Sequence, residues 1–447
     1  MVAVTKYQTD YEIVNISLIV PTIGTPVDIK GYMVELNVYE DIFGDSVTGS
    51  VIISDGLGLL ADLQMNGTEF IRVEFRKNTQ DDVGSIKRTF RIYKVSDRYL
   101  APGNNFENYT INFCSEELMI SEKYRISKSY KSKTISQMIS DILKNYLKVG
   151  STKKVSVEPT TGTFDFVLPN KKIFETINWL STYGMSSSSP GNDMIFFENV
   201  DGYWFKSLQT LYKQSPYITY YYNPKNVSAD MQQKFTNIIS MDVLDSFDTL
   251  RANYTGTFAN RVISIDPLTR KSTITDFDYN KYFGSSTKLN KYPVTNQYKD
   301  RIGDKSFEAP PNNLQAGVCR VMVANANQRN FSYIKNRPTA VCSDYSVEKT
   351  VPYRAAQLSL ANFSRMKIVV PGNAKLAVGM TMNIVVPKMS PISQTASNQQ
   401  AQRDADPYLS GKYLVTAVRH MINLENYVTV VEICKDSNQG QISGVSN

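Results

Sequence analysis

The 447-residue chain contains one histidine, two tryptophans and four cysteines. A single histidine excludes paired-histidine metal motifs, HExxH among them. The cysteines Cys114, Cys319, Cys342 and Cys434 lie far apart with no CxxC. That spacing speaks against a zinc site or a redox pair, and buried reduced thiols are expected. No apolar run approaches the ~20 residues that span a bilayer, so no membrane insertion is expected. The Ile13–Val20 run is short, holds Asn15 and Ser17, and follows no basic segment. It does not read as an export signal, and folding in the cytosol is expected. No Walker A motif or EF-hand loop occurs. Gly56-Leu57-Gly58 lacks a third glycine and a βαβ context, and reads as a turn.

What the chain has in quantity is Tyr (28) and Phe (20), residues suited to half-buried sheets. Its length implies two to four domains. The net charge of +7 is unevenly spread, because residues 1–118 are net acidic and the remainder net basic. Such a split is consistent with faces that meet different partners.

Residues 1–118 read as strands and tight turns. Val34/Leu36/Val38, Ile71/Val73/Phe75 and Tyr109/Ile111/Phe113 each alternate with mostly polar neighbours, the period of a strand buried on one face. Turn signals separate them at Phe43-Gly44-Asp45, Asn66-Gly67 and Ala101-Pro102-Gly103-Asn104. A small antiparallel barrel or sandwich is expected.

Residues 119–215 read as an α+β unit. Ile135, Met138, Ile139, Ile142, Leu143 and Tyr146 share a helical face behind a Thr134/Gln137 capping box. Asn170 is placed to cap a second helix carrying Ile173, Phe174, Ile177 and Leu180. Strands Met194–Glu198 and Tyr203–Lys206 flank Asp201-Gly202, a hairpin signal. Residues 216–447 return to strand character: Ile238–Phe247, Tyr254–Ile265, Ser272–Tyr279, Ile368–Val370, Met380–Val386, Lys412–Arg419 and Tyr427–Ile433. Helices are predicted at Asn312–Asn327 and Arg354–Met366, within an inserted stretch of about 285–365. Residues of about 389–407 and Ser443–Asn447 read as mobile.

Little of this carries chemistry. His420, on a predicted strand, has no GxSxG elbow before it and reads as a packed or surface strand residue. Glu116-Glu117 read as a strand end and not as a glycosidase pair. Lys123, Arg125, Lys128, Lys131 and Lys133 form a basic cluster that reads as a solvated face or a protein contact, not a nucleic-acid site. No catalytic, cofactor-binding or metal-binding residues and no cofactor are expected.

Three stretches together resemble one family, the baseplate hub proteins of contractile-tailed bacteriophages, relatives of the N-terminal halves of type VI secretion spikes. The first is Val34-Glu35-Leu36-Asn37-Val38-Tyr39-Glu40-Asp41-Ile42-Phe43-Gly44, continuing through Gly49–Gly56. The second runs from Pro169-Asn170-Lys171-Lys172 through Ile177-Asn178-Trp179-Leu180 to Phe197–Phe205. The third includes Tyr254–Arg261, Asp276-Phe277-Asp278-Tyr279, Val370-Pro371-Gly372 and Leu409–Val415 running on to His420. Residues 285–350 and 389–407 fit the family poorly.

The resemblance implies an α+β, mainly β fold with two tube-like antiparallel β-barrels: one at 1–118, an α+β domain at 119–215, and a second barrel at 216–447. It also implies a non-enzymatic role in the virion. Three copies would form a homotrimeric, pseudo-sixfold ring joining a sixfold tail tube, or a tube-initiator protein, to a threefold central spike protein. Baseplate wedge proteins are further candidate partners. Phage DNA would pass through the lumen without sequence-specific binding, which favours a neutral or acidic lining. The competing readings are the spike base of a type VI or tailocin-like injection machine, and a tail-associated cell-wall hydrolase.

Overall fold

The computed structural model describes residues 11–21, 23–77, 84–100, 106–150, 153–189, 192–223, 235–266, 270–294, 320–325, 347–388 and 405–440. The N-terminal strands are β1 (Tyr11–Ile19), β2 (Val27–Asp28), β3 (Met33–Asp41), β4 (Thr48–Asp55), β5 (Phe70–Lys77), β6 (Ser85–Leu100) and β7 (Glu107–Cys114). The short helix α1 (Leu59–Leu63) follows β4. The strands pair antiparallel in the order β3-β4-β7-β6-β5-β1-β2.

The period-2 pattern holds in β5 and β7, where Ile71, Val73, Phe75, Ile111 and Phe113 are fully buried. In β3 it breaks. The register shifts between Met33 and Glu35, and Val34 turns out to solvent while Leu36 and Val38 stay inside. A bulge adds one residue to one strand and so flips side chains on either side of it. The Gly56-Leu57-Gly58 stretch is a turn: the Asp55 carboxylate accepts from the N–H groups of Leu57, Gly58 and Leu59.

Helix α2 (Glu116–Lys123) opens the middle region. Two small strand pairs follow, β8 (Arg125–Ile126) with β12 (Lys171–Lys172) and β9 (Ser129–Lys133) with β11 (Phe164–Val167). β10 (Lys154–Val157) runs parallel to β14 (Gly202–Ser207), which forms a hairpin with β13 (Met194–Asn199). Helix α3 (Ile135–Asp141) carries the expected capping box between Thr134 and Gln137 and continues as a π turn over Ile142–Tyr146. Helix α4 (Ile173–Ser181) buries Ile173, Phe174, Ile177 and Leu180. Its cap differs from expectation. Asn170 sits in the left-handed region (φ 51°), and Lys171–Lys172 is held by β8. The Phe174 N–H is satisfied by Ser121 Oγ of α2, at 3.0 Å. A cap from a distant element meets the same need as a local one.

The last region begins with α5 (Leu208–Tyr212), β15 (Thr219–Tyr221), β16 (Ser240–Asp245) and α6 (Thr249–Thr255). Tyr254 is therefore helical, against the predicted strand start, and β17 (Ala259–Asp266) begins later. β17 pairs antiparallel with β18 (Lys271–Asp278) and parallel with β19 (Arg320–Asn325). The helix predicted over Asn312–Asn327 is thus a strand at Arg320–Asn325; the rest of that stretch lies outside the described residues. The short continuous apolar run Val321-Met322-Val323-Ala324 fits a buried strand as well as a helix segment, and periodicity does not separate the two. After α7 (Tyr279–Phe283) comes α8 (Val347–Leu360), with Pro352 inside it, so the helix starts before the proline and ends before the predicted Met366. Met366 belongs to β20 (Ser364–Pro371).

β21 (Thr381–Val385), β22 (Gly411–Asn423) and β23 (Tyr427–Lys435) complete the sheet. The order here is β16-β20-β23-β22-β21-β15. Residues 389–404, 441–447 and the turn at 267–269 lie outside the described residues.

The two β regions are one sheet. β22 pairs antiparallel with β3 from Ala417↔Asp41 to Asn423↔Glu35, giving thirteen strands in all. Its path ends at β16 on one side and β2 on the other, so among the described residues it is open and not a pair of closed barrels. The fold is mainly β with helices packed around it.

Candidate assembly interface

The strand pairings of the two halves correspond one to one. Order β3-β4-β7-β6-β5-β1 in the first half is matched by β16-β20-β23-β22-β21-β15 in the second, and chain order is preserved throughout. Registers agree in detail. In β6–β7, Arg91 faces Cys114, Ile92 faces Phe113, and a bulge follows at Tyr93. In β22–β23, Leu414 faces Cys434, Val415 faces Ile433, and a bulge follows at Thr416. The edge partners also match, Phe70↔Arg91 and Thr381↔Leu414. One pairing departs: β1–β5 is antiparallel and β15–β21 is parallel.

The correspondence makes the β22–β3 contact a junction between two like modules. On its buried face Glu40 is fully enclosed, accepting from Val378 N–H at 2.9 Å and from Val200 N–H at 2.7 Å. One carboxylate therefore ties β3 to the β13–β14 turn and to the loop before β21. Burial lifts its pKa to about 8, outweighing the two N–H donors and Arg88, which pull it down. His420, opposite Val38, is also fully buried, with Nδ1 2.9 Å from Tyr427 Oη. Burial pushes its pKa down to about 3, so the imidazole is neutral. It packs against Phe75 and Tyr427, which fits the strand-residue reading.

On the open face, residues directly opposite one another form rows across the strands. One row reads Asp242, Lys367, Glu432, Ala417, Asp41; another reads Val428, Met421, Asn37, Ser50, Asn112, Lys94. Two arginines on this face are tied to acids, while Arg91, in the same row as Arg419, lies over the Phe70 ring. Arg419 donates to Asn37 at 2.8 Å and Glu35 at 3.2 Å, and lies over the Tyr39 ring. Arg365 donates to Asp245 at 2.6 and 2.9 Å and to Glu432 at 3.2 Å.

A second buried carboxylate fixes the middle region to the first half. Glu198 accepts from Val47 N–H at 2.9 Å and from Lys153 Nζ at 2.8 Å, with Arg88 3.8 Å away. Lys153 also bonds Glu117. Glu117 is thus part of a structural ion network, in the first turn of α2.

Besides the sheet's ends at β1–β2 and β15, two stretches keep an open edge among the described residues. β16 has β20 on one side only. β6 is covered by β5 through Arg91 and by the Ile92 N–H bond to Glu69 O, and beyond that it pairs with β7 alone. Sequence reasoning did not single out either stretch.

Of the other sequence candidates, Lys123, Arg125, Lys131 and Lys133 are exposed, while Lys128 is held by Asp141 at 2.6 Å. Cys114 and Cys434 are buried free thiols; Cys319 and Cys342 lie outside the described residues. A cavity of about 160 Å³ lined by Asp248, Arg251, Thr257 and Phe363 is well below the ~300–1,000 Å³ of ordinary ligand pockets. No cluster of three or more metal-ligating side chains occurs among the described residues, and no described helix is long and apolar enough to cross a membrane.

No family model matches the sequence. Over 419 residues the chain is 21% identical to "Probable baseplate hub protein gp334" of Vibrio phage KVP40, across 92% of this chain and 91% of that protein. The chain resembles a phage baseplate hub protein along nearly its whole length. Two solved structures share the fold. The tail protein from Neisseria meningitidis MC58 aligns with a TM-score of 0.52 at 9% identity, over 96% of this chain and 97% of that one. The 43 kDa tail protein of prophage MuSo2 from Shewanella oneidensis aligns with a TM-score of 0.52 at 8% identity, over 95% and 99%. At such low identity the likeness is one of fold. The hub-like resemblance spans both halves of the sheet and the α+β region between them.

Proposed function

We propose that this protein is a structural hub of a phage tail baseplate, without enzymatic activity. The observation that carries the reading is the internal duplication: two like sheet modules joined edge to edge in one chain. A chain with two like modules can present six of them with three copies, and so meet a sixfold tube on one side and a threefold spike on the other. In this reading residues 1–118 and 216–447 are the two tube-like domains, 119–215 is the α+β domain, and the stretches near 285–365 and 389–407 are additions to the second. The partners are a tail tube or tube-initiator protein, a central spike protein and wedge proteins, and the site of action is the virion tail.

The open sheet face lines the lumen in this reading. Arg365 and Arg419 are already neutralised by carboxylates, which weakens their hold on phosphates by counterion release. That suits a channel through which DNA slides without binding.

Mass photometry of the purified chain, alone and co-expressed with its tail tube and spike partners, tests the proposal. A trimer with an axial channel wide enough for duplex DNA, seen by electron microscopy, is the expected result. A monomer under every one of these conditions overturns it.

A further inference from the structure

We propose that Lys288 and Asp436 form an intramolecular amide (isopeptide) bond, a covalent cross-link that the folded chain makes between the segment after α7 and the end of β23. The bond does not depend on what the chain assembles with.

Placement comes from the backbone. Residues 288–292 lie along residues 436–438 and are held there at successive positions. Leu289 N–H donates to Asp436 Oδ1 at 3.1 Å, and Asn290 N–H donates to Ser437 Oγ at 2.7 Å. The Asn290 side chain donates to the carbonyls of Lys412 and Ser437 at 2.9 and 3.0 Å, and accepts from Lys412 N–H at 2.8 Å. Tyr292 and Asn438 exchange both backbone bonds, at 2.9 and 2.7 Å. Lys288 begins this run, and its side chain turns inward. Nζ lies 3.8 Å from Asp436 Oδ2, with side-chain exposures of 4% and 0%. The rings of Tyr279, Tyr282 and Phe283 stand 5.9, 5.5 and 5.7 Å from the same nitrogen and wall it in.

The pair is a poor salt bridge. A buried ion pair repays its desolvation only when it is close and its remaining donors and lone pairs are hydrogen-bonded. Lys153 meets that condition, with Glu198 at 2.8 Å and Glu117 beside it. Lys288 does not. Its contact is long, and neither Nζ nor Asp436 Oδ2 has a hydrogen bond among the described residues. Asp436 Oδ1, by contrast, is held twice, by Leu289 N–H and by the Ser437 hydroxyl at 2.7 Å. One carboxyl oxygen is pinned by two donors. The other is bare and faces an amine.

That asymmetry suits acyl transfer. The two donors on Oδ1 are placed for the negative charge that gathers there when a nucleophile adds to Cγ. Oδ2 is left to depart. Burial holds the Lys288 pKa below the ordinary lysine value, against the opposing pull of Asp436 and Asp193, and so favours the nucleophilic free amine. Reacting atoms need to come within about 3–3.5 Å, which a small rotation of the four-carbon stem supplies.

The step balances. The ammonium passes one proton to Oδ2, leaving a neutral amine and a carboxylic acid. The Nζ lone pair adds to Cγ and forms the C–N bond. A second proton moves from nitrogen to the hydroxyl at Oδ2. The Cγ–Oδ2 bond then breaks with its electron pair going to oxygen, and one water leaves. Nothing is oxidised or reduced, and no co-reactant enters. The ring wall that excludes water also shields the amide from hydrolysis. The product closes residues 288–436 into a covalent loop.

Intact mass spectrometry of the 447-residue chain in denaturant tests the proposal. The expected mass is lower than that of the sequence by one water, about 18 Da. Trypsin should release Tyr282–Lys291 joined to Asp436–Asn447 and uncut at Lys288, with fragment ions that place the link between Lys288 and Asp436. Lys288→Met fills similar space without a nucleophile, and its mass should show no loss. The unsubstituted chain is the primary readout, so a variant that misfolds does not blunt the test. A folded chain at its full sequence mass overturns the proposal. So does a loss of water that maps elsewhere, as a succinimide at Asp201-Gly202 would give.

Discussion

Cys114 and Cys434 occupy the same position in the two halves of the sheet, each opposite the residue two positions before a matching bulge. Both thiols are buried, and burial raises their pKa values, that of Cys114 to about 11. The thiolate is the reactive form, so neither position should react in the folded protein. A short iodoacetamide pulse followed by peptide mapping should leave both residues unlabelled in native buffer and label them in denaturant. Labelling of Cys434 in native buffer would show that the second half of the sheet opens locally.

Glu40 should make stability fall as pH rises. Its folded pKa of about 8 lies above the ordinary carboxylate value of 4.5. The folded state therefore holds a proton that the unfolded chain releases between those values. The stabilisation is complete below pH 4.5 and is lost as pH climbs through 8. At 1.36 kcal/mol per unit the effect is at most about 5 kcal/mol. Glu40→Gln removes the titration but sets an amide N–H against one of the two backbone N–H donors, at a cost of about 2 kcal/mol. Urea denaturation at pH 5 and pH 8.5 should show the wild type losing much of its advantage over the variant at the higher pH. A constant difference would mean that Glu40 is ionised throughout.

His420 works in the opposite direction at the same junction. Its folded pKa of about 3 lies below the ordinary 6.5, so its stabilisation is present above pH 6.5 and is lost as pH falls toward 3. As the sole histidine it gives a single imidazole signal. With selectively labelled histidine, that signal should keep one chemical shift from pH 5 to pH 8. A midpoint near 6.5 would place the ring in water and contradict its burial between Phe75 and Tyr427.

Much of this architecture is legible from side-chain periodicity. β5, β7, α3 and α4 each bury the face that their spacing marks, and the Thr134/Gln137 box forms as written. Local signals misled where a distant group took over their role: Asn170 lost the cap of α4 to Ser121, fifty-odd positions away in the chain. Arg320–Asn325 became a strand because β17 offers it a parallel edge, something no local pattern encodes. The open edges at β16 and β6 were invisible for a related reason. Whether an edge is open depends on which strands are absent beside it, and the repeat relating the modules survives in register and bulge position while its sequence has diverged. Glu40 and Glu198 looked like ordinary strand carboxylates until the fold enclosed them.

Arg419→Ala should cost little. The guanidinium spans Asn37, Glu35 and Tyr39 on the open face, where its side chain is partly exposed and water screens the charges. Such pairs contribute about 0.2–1 kcal/mol. Thermal unfolding should shift by only a few degrees at most. A loss above 3 kcal/mol would show that the junction depends on this arginine more than on the ladder beneath it.

Gly202→Ala should be far more damaging than its size suggests. Gly202 adopts φ 151°, in the turn that joins β13 to β14, where β10 runs alongside. A Cβ there would sit 1.9 Å from the Lys154 carbonyl oxygen, which is backbone and cannot swing aside. Relief requires β10 to move off β14. That would disturb Lys153, which holds Glu198 and Glu117 together. Overpacking and backbone strain of this kind cost about 2–4 kcal/mol. The decisive comparison is Gly24→Ala, where φ is also positive but the added Cβ meets nothing within 4 Å. Backbone strain acts in both variants and the clash in only one, so Gly202→Ala should lose at least 1 kcal/mol more in chemical denaturation. Equal losses would mean that the close approach of β10 to the turn is relieved without cost.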